Sequence, residues 1–159
     1  MTLVTVSEAL FYHLERKSLE DVLPGLLERT RERGWRAVVQ VGSAERMAAL
    51  DTHLWTYSEP SFLAHGTAAE GHKPHQPIFL TTEEENPNGA HVLFLVGGAM
   101  PSDWSSPLFA GLERIVLLFD GRDPETLDAA RAAWRNAKEA RHDATYWKEN
   151  PNGKWEKQG

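Results

Sequence analysis

The sequence predicts an α/β domain with three layers and a mainly parallel central sheet. Segments 38–41, 92–96 and 115–119 carry apolar residues at consecutive rather than alternate positions, which is typical of strands buried on both faces. Between these segments, apolar residues recur with the spacing of amphipathic helices. Strands that alternate with helices along a chain favour a parallel sheet that is covered by helices on both faces.

The first strand and the first helix are predicted near the N-terminus. The strand is centred on residues 10–14, and Ser18 begins a helix that runs to Arg33. Asp21 follows Ser18 at the spacing of a capping box. Pro24 fits badly in a helix interior, where it costs about 3 kcal/mol. We therefore expect either a bend at Pro24 or a later first turn.

The remaining predicted elements follow the same alternation. After a strand at 36–41, Ser43 caps a helix that runs to about Trp55. Residues 56–76 have the composition of a loop. The later elements are a strand at 78–82, a turn at 86–89, a strand at 91–96, an irregular or short helical segment at 99–111, a strand at 114–119, and a helix from Asp123 to about Arg141.

Length and composition indicate one domain. We expect it to cover residues 1–148 of the 159-residue chain, followed by a polar C-terminal tail at 149–159 with an Asn-Pro-Asn-Gly turn. Cysteine is absent, and there is neither a basic N-terminal region nor an apolar run of about 18 residues. These features predict a cytoplasmic protein without a membrane span. The net charge of −6 argues against nonspecific binding of nucleic acid by the whole surface.

Parallel α/β sheets often bind nucleotides at the carboxyl ends of their strands. The loop after the second strand, at 41–46, matches neither of the glycine-rich phosphate-binding patterns. Gly97 and Gly98 follow another strand, but no lysine or serine stands near enough to complete a phosphate cradle. We therefore predict no nucleotide-binding loop and no cofactor.

Histidines offer an alternative function, that of a small metal-dependent hydrolase. His65, His72 and His75 lie in one predicted loop, and His72 and His75 are three residues apart. No helix holds them on one face and no acidic third ligand is in register, so a flexible exposed loop is the stronger interpretation.

A segment rich in aromatic residues, at 51–66, leads from the second helix into the loop. Trp55, Tyr57 and Phe62 lie in or beside this segment. Because loops run over the surface, such residues either fold back onto the core or face a partner. The sequence alone leaves both interpretations open.

The last helix has an apolar stripe beside a basic stripe. Lys138 and Arg141 lie in the last turns, where cations complement the helix dipole by about 0.3–1 kcal/mol. Arg131, in the middle of the helix, is less well explained in this way. An arginine beside Trp134 can pair a carboxylate and pack an apolar side chain together. The apolar stripe comprises Leu127, Ala130, Trp134 and Ala137, and the basic stripe Arg131, Arg135, Lys138 and Arg141.

Several short motifs resemble those of the chi subunit of bacterial DNA polymerase III. The resemblance covers about residues 9–148, and the order and spacing of the motifs make it specific. The motifs are Phe11-Tyr12-His13-Leu14, Arg33-Gly34-Trp35-Arg36, Leu50-Asp51 with Leu54-Trp55, Ser61-Phe62 with His65, Ala129-Ala130-Arg131 with Trp134, and Tyr146-Trp147-Lys148.

The resemblance implies a noncatalytic replication subunit with a Rossmann-like fold. Chi proteins pair with the psi subunit, which ties them to the clamp loader. They also bind the acidic C-terminal tail of the single-stranded-DNA-binding protein, which ends in Ile-Pro-Phe, so that contact with DNA is mainly indirect. The resemblance implies that Arg131 meets the carboxylate of the tail, and that Trp134, Trp55 and Phe62 line the pocket for the terminal phenylalanine.

One departure from the family concerns a lysine one turn before the arginine. Leu127 stands at that position here, and Arg135 or Lys138 is the candidate substitute. A third interpretation is direct binding of single-stranded DNA through basic residues and tryptophans. It fits poorly with the negative net charge of the protein. The sequence does not indicate which surface a psi partner would cover.

Overall fold

The structure, a computed structural model, describes residues 8–56, 65–67 and 75–158, and within them all side chains except those of Trp55, Thr56 and Ala110. The strands are β1 (Glu8–Leu14), β2 (Ala37–Val41), β3 (Ile78–Thr81), β4 (Val92–Val96), β5 (Arg114–Asp120), β6 (Asp143–Glu149) and β7 (Trp155–Lys157). The helices are α1 (Leu19–Glu32), α2 (Ala44–Thr56) and α3 (Pro124–Glu139), with a 3-10 helix at Pro107–Gly111.

The strands form one sheet with the order β3-β2-β4-β5-β1-β6-β7. All neighbouring strands pair in parallel except β6 and β7, which pair antiparallel. Every residue of β2 and β4 is buried, as are residues 115–119 of β5, as the consecutive apolar residues predicted. The predicted α/β class with a mainly parallel sheet is confirmed.

Helices cover both faces of the sheet. On one face, Leu23 and Leu27 of α1 pack in the same core as Leu50 and Leu54 of α2. On the other face, α3 packs through its small buried residues, Ala130, Ala133 and Ala137, together with Trp104 and Phe109. The three predicted layers are therefore present. In the described part of the chain, no helix is both long and apolar enough to span a bilayer.

Helix α1 contains Pro24 in its interior, and its first turn begins where the capping box predicted. The Ser18 side chain accepts a hydrogen bond from the Asp21 amide, and the Asp21 carboxylate accepts one from the Ser18 amide. Because Pro24 has no N–H, the carbonyl of Glu20 loses its helical donor. His53 Nε2 of α2 lies 2.8 Å from that carbonyl and takes the vacant position. The proline is accommodated by a bond between the two helices.

Helix α3 begins as predicted and ends slightly earlier. Asp123 caps its first turn, and Pro124 occupies the position where a missing N–H costs nothing. At the other end Arg141 has a left-handed backbone with φ 68°. The Arg141 amide donates to the Lys138 carbonyl and the His142 amide to the Ala137 carbonyl, which is the pattern of a Schellman motif. The chain therefore leaves the helix before Arg141 and enters β6.

The residues after α3 form two strands that the sequence analysis did not predict. Strand β6 pairs in parallel with β1, and the predicted turn at 150–153 leads into β7. Most of β6 is only partly buried, so it lacks the continuous apolar run that identified the central strands. The buried Glu149 carboxylate accepts from the backbone amides of Arg16, at 3.4 Å, and Lys17, at 3.2 Å. The domain boundary at residue 148 stays a prediction.

We predict that Gly121→Ala lowers the free energy of unfolding by about 1–3 kcal/mol. Gly121 directly follows β5, and a Cβ built there overlaps the imidazole of His13. Gly111→Ala is the matched control, since its added methyl group meets open space, and we expect a change of no more than about 0.5 kcal/mol. Urea unfolding of both variants measures the difference. Equal midpoints for the two variants would contradict the proposed overlap.

Candidate functional site

Helix α3 presents its aromatic and basic residues beside the edge of its buried stripe. Ala130, Ala133 and Ala137 are buried, and their small side chains let the helix approach the sheet closely. Arg131 and Trp134 are three residues apart and therefore neighbours on the helix surface. The amphipathic spacing read from the sequence thus places both of these predicted site residues on one side of α3.

Aromatic neighbours fix the indole of Trp134. Its ring meets Phe11 edge-on at 5.4 Å between centroids and Tyr146 at 5.8 Å. Lys138 Nζ lies 4.3 Å from the ring centroid, the distance of a cation–π contact. Trp134 is partly buried against the core, so the structure brings Trp134 and Lys138 together at a rigid, partly open aromatic surface.

The guanidinium of Arg131 is exposed and weakly paired. Its Nη1 atom lies 4.0 Å from Asp128 Oδ1, and the two side chains are 61% and 80% exposed. An exposed pair of this kind contributes little, typically about 0–1 kcal/mol. Burial is the main influence on the pKa of His13 and of Tyr146, and the positive charge of Arg131 acts on both groups to lower it. Arg131 can therefore exchange Asp128 for an external carboxylate at small cost.

A polar network joins the carboxyl end of β1 to the neighbouring strand β6. His13 Nδ1 lies 2.7 Å from the Tyr146 hydroxyl, and His13 Nε2 lies 3.1 Å from Glu15 Oε1. Lys148 Nζ lies 3.3 Å from the same carboxylate oxygen. Burial lowers the pKa of His13 and raises the pKa of Tyr146, so both groups favour their neutral forms.

The sequence analysis missed this network as a part of the site. His13 pairs with Lys148, and Phe11 with Tyr146, only because β1 and β6 run in parallel and in register. The residues lie more than a hundred positions apart, and β6 was not predicted as a strand. The available signal was their presence in two of the motifs that carry the family resemblance.

The structure leaves the predicted roles of Trp55 and Phe62 as predictions. Phe62 and the side chain of Trp55 lie outside the described residues. Helix α2, which carries Trp55, packs on the face of the sheet opposite α3. Because Trp55 lies in the last turn of α2, at the boundary of the described residues, its place beside Arg131 stays a prediction.

The other predicted cations have different surroundings. Arg135 is exposed, one turn after Arg131 on α3. Leu127, which stands where the family has a lysine, packs against the core beside α3 and is only partly exposed. The cation that approaches the Trp134 ring is Lys138 instead.

The histidines of the metal-dependent hydrolase hypothesis differ in their exposure to solvent. His65 is buried, and its Nε2 atom lies 3.0 Å from Asp51 Oδ1. His75 is exposed, and His72 lies outside the described residues. Among the described residues, no three histidine, aspartate or glutamate side chains form a group that could hold a metal ion.

A cavity of about 380 Å³ lies at the carboxyl ends of the central strands, lined in part by Leu14, Val41 and Asp120. This is a topological switch point, since α1 leads from β1 towards β2 and α3 leads from β5 towards β6. A Cβ on Gly42 would collide with the Gly97 carbonyl, so the glycines here serve close packing of two backbone segments.

Cations in this cavity already have protein partners. Lys17 Nζ donates to a backbone carbonyl at 3.2 Å, and Arg46 donates to the carbonyl of Gly97. Arg122 Nε donates to Asp120 at 2.9 Å, and this contact holds the pKa of the Asp120 carboxyl below its usual value. Each of these three cations therefore has a hydrogen-bond partner within the described residues.

A protein-family model matches most of this chain, and a curated relative matches about half of it. A family sequence model described as DNA polymerase III chi subunit, HolC, matches residues 6–145. A relative from Rickettsia prowazekii (strain Madrid E), named probable DNA polymerase III subunit chi, is 29% identical over 85 residues. That alignment covers 54% of this chain and 52% of the relative, so the chain spans about half the length of the curated relative it matches.

We predict that His13 makes the protein less stable as the pH falls. Burial lowers the pKa of His13 below its ordinary value of 6.5. The pKa of His13 is thus lower in the folded chain than in the unfolded chain, where it is about 6.5. At a pH between the folded and the unfolded pKa, the unfolded chain binds more protons. Stability is therefore lost as the pH falls through 6.5 towards the folded pKa. His13→Gln should therefore lose less stability than the wild type between about pH 7.5 and about pH 5.

Urea unfolding at both pH values measures this difference. His75→Gln, which changes an exposed histidine, is the control and should retain the pH dependence of the wild type. An unchanged pH dependence in His13→Gln would rule out His13 as its source.

Proposed function

Because the chain belongs to the DNA polymerase III chi subunit family, as its short motifs predicted, we propose that it acts as a noncatalytic accessory subunit in DNA replication. Its role is to bind the acidic C-terminal tail of the single-stranded-DNA-binding protein. Through a psi subunit it then connects the clamp loader to the template that this protein coats. Contact with DNA is mainly indirect, and no turnover is expected.

The observation that carries the proposal is the exposed guanidinium of Arg131 beside the fixed indole of Trp134. A guanidinium binds a carboxylate through two parallel N–H···O bonds, which gives both strength and orientation. Asp128 holds Arg131 only at 4.0 Å and is itself exposed, so it competes weakly with a terminal carboxylate.

The indole of Trp134 supplies the apolar contact for a terminal phenylalanine. Phe11 and Tyr146 hold the ring edge-on, so little side-chain freedom is lost when a ligand binds. Aromatic anchors of this kind supply most of the binding energy of small interfaces. Trp55 and Phe62 complete the pocket in this proposal, on the strength of the family resemblance.

Cations around this surface attract the aspartates that precede the terminal residues of the tail. Lys138 lies over the Trp134 ring and replaces the family's pocket lysine, whose position holds Leu127. Arg135 adds a second exposed charge on α3. Binding should therefore weaken as the salt concentration rises, because exposed charges are screened.

We predict that Arg131→Ala weakens binding of a short acidic peptide ending in Asp-Ile-Pro-Phe by about 10- to 100-fold. The loss follows from removal of a charge-assisted hydrogen bond to the terminal carboxylate. A tryptophan-fluorescence titration at low salt measures the affinity, and the same peptide without its terminal phenylalanine should bind more weakly and show no dependence on Arg131.

Arg31→Ala is the matched control for this measurement. Arg31 is an exposed arginine on α1, which packs on the opposite face of the sheet. Its removal should leave the affinity for the peptide unchanged. Equal affinities for Arg131→Ala and the wild type would remove Arg131 from the site.

A further inference from the structure

A second pocket, of about 180 Å³, lies between α1 and the sheet, on the face opposite α3. Its floor is apolar and includes Phe94 and Val116 of the central strands. Its rim carries Arg29, Arg33 and Arg114, and we refer to this rim and floor, with Tyr12, as the arginine pocket. None of the residues that line it belongs to the tail-binding site proposed above.

The charge of the arginine pocket contrasts with that of the whole chain. Three arginines and no carboxylates are found among the described residues that line it, whereas the chain has a net charge of −6. Glu8, which does not line the pocket, approaches Arg114 Nε at 3.2 Å. Arg29 and Arg33 have no ion pair with any described carboxylate. Within the described residues, the charges of Arg29 and Arg33 are therefore not neutralised by an ion pair, whereas that of Arg114 is paired with Glu8.

The indole of Trp35 holds two of these guanidinium groups. Arg33 Cζ lies 4.9 Å from the centroid of the Trp35 ring, and Arg114 Cζ lies 5.5 Å from it. The Trp35 amide donates to the Thr30 carbonyl at the end of α1, and its ring stacks on His91 at 6.0 Å. The guanidinium groups are thus partly ordered before any ligand binds, which lowers the entropy cost of binding.

Tyr12 adds a neutral donor to the same pocket. Its hydroxyl has no hydrogen-bond partner among the described residues, although burial raises its pKa and keeps it protonated. Contacts with Trp155, at 4.9 Å, and with Trp147, at 6.4 Å, fix the position of its ring. A phenol and three guanidinium groups around one apolar floor form a set of donors suited to carboxylate oxygens.

We propose that the arginine pocket is a second docking site, which binds an acidic segment of a partner protein. The segment places carboxylates on the arginine rim and the Tyr12 hydroxyl, and one aliphatic or aromatic side chain on the apolar floor. The volume of about 180 Å³ suits one such side chain rather than a whole helix face. This proposal does not depend on the tail-binding role of α3.

Nucleic acid is the less favoured occupant of this pocket. Single-stranded nucleic acids are bound by stacking bases on free aromatic faces. Here the Trp35 ring lies against Arg33 and His91, and the Tyr12 ring packs against two tryptophans. The net charge of −6 also opposes a long polyanion more than it opposes a short acidic peptide.

The test uses a peptide that the α3 site is not expected to bind. Acetyl-Asp-Asp-Leu-Phe-Asp-Asp-amide has acidic and apolar side chains but no terminal carboxylate, which the Arg131 site requires. We expect it to shift the Trp35 indole N–H signal of the full chain saturably in nitrogen–proton correlation spectra, with Trp35→Phe identifying the signal. Failure of this peptide to bind and failure of the tail peptide at Arg131 are therefore separate results.

Variants of the rim and matched surface variants give the decisive comparison. The double variant Arg29→Gln/Arg33→Gln should weaken binding by about tenfold or more, and Tyr12→Phe should weaken it less. The control Arg16→Gln/Lys154→Gln removes the same charge from exposed residues outside the pocket, and binding should be unchanged.

Three results would overturn the proposal. The first is no saturable shift of the Trp35 signal, and the second is equal weakening by the rim and control variants, which would indicate nonspecific attraction. The third is an oligothymidylate that shifts the same Trp35 signal and binds more tightly than the peptide. That result would assign the pocket to nucleic acid.

Discussion

The pairing of β1 with β5 on one side and β6 on the other is the constraint on which the rest of the structure depends. Alternate residues of a strand point to opposite faces of its sheet. Phe11 and His13 therefore lie beneath α3, whereas Leu10 and Tyr12 lie beneath α1. One central strand thus supports the proposed tail-binding site on one face and the arginine pocket on the other, so a register slip in β1 would remove both.

The helices on the α1 side are joined by polar contacts that compensate for irregular backbone. Pro24 leaves a carbonyl without a donor, and His53 of α2 supplies one. On α2 itself, the Asp51 Oδ1 atom lies 3.0 Å from Nε2 of the buried His65. Because a buried polar group costs free energy unless it is paired, the contact of His65 fixes the position of α2 more strictly than apolar packing alone would.

Local sequence patterns predicted the features that depend on local structure. The capping box of α1, the buried central strands and the shared side of Arg131 and Trp134 on α3 all follow from spacing within one element. The β6–β7 hairpin escaped prediction because β6 is only partly buried and β7 has three residues. The His13–Tyr146 contact and the arginine pocket required the register between strands far apart in sequence, which spacing within one element does not contain.

Both candidate sites combine a cation with a tryptophan in an otherwise acidic protein. Lys138 lies over Trp134 on one face, and Arg33 lies over Trp35 on the other. An aromatic ring restricts a long cationic side chain before a ligand arrives, so less entropy is lost on binding. The net charge of −6 meanwhile weakens the attraction of DNA to the surface as a whole. Localised, ordered cations on an acidic chain therefore fit the proposed binding of short acidic protein segments better than they fit binding of nucleic acid.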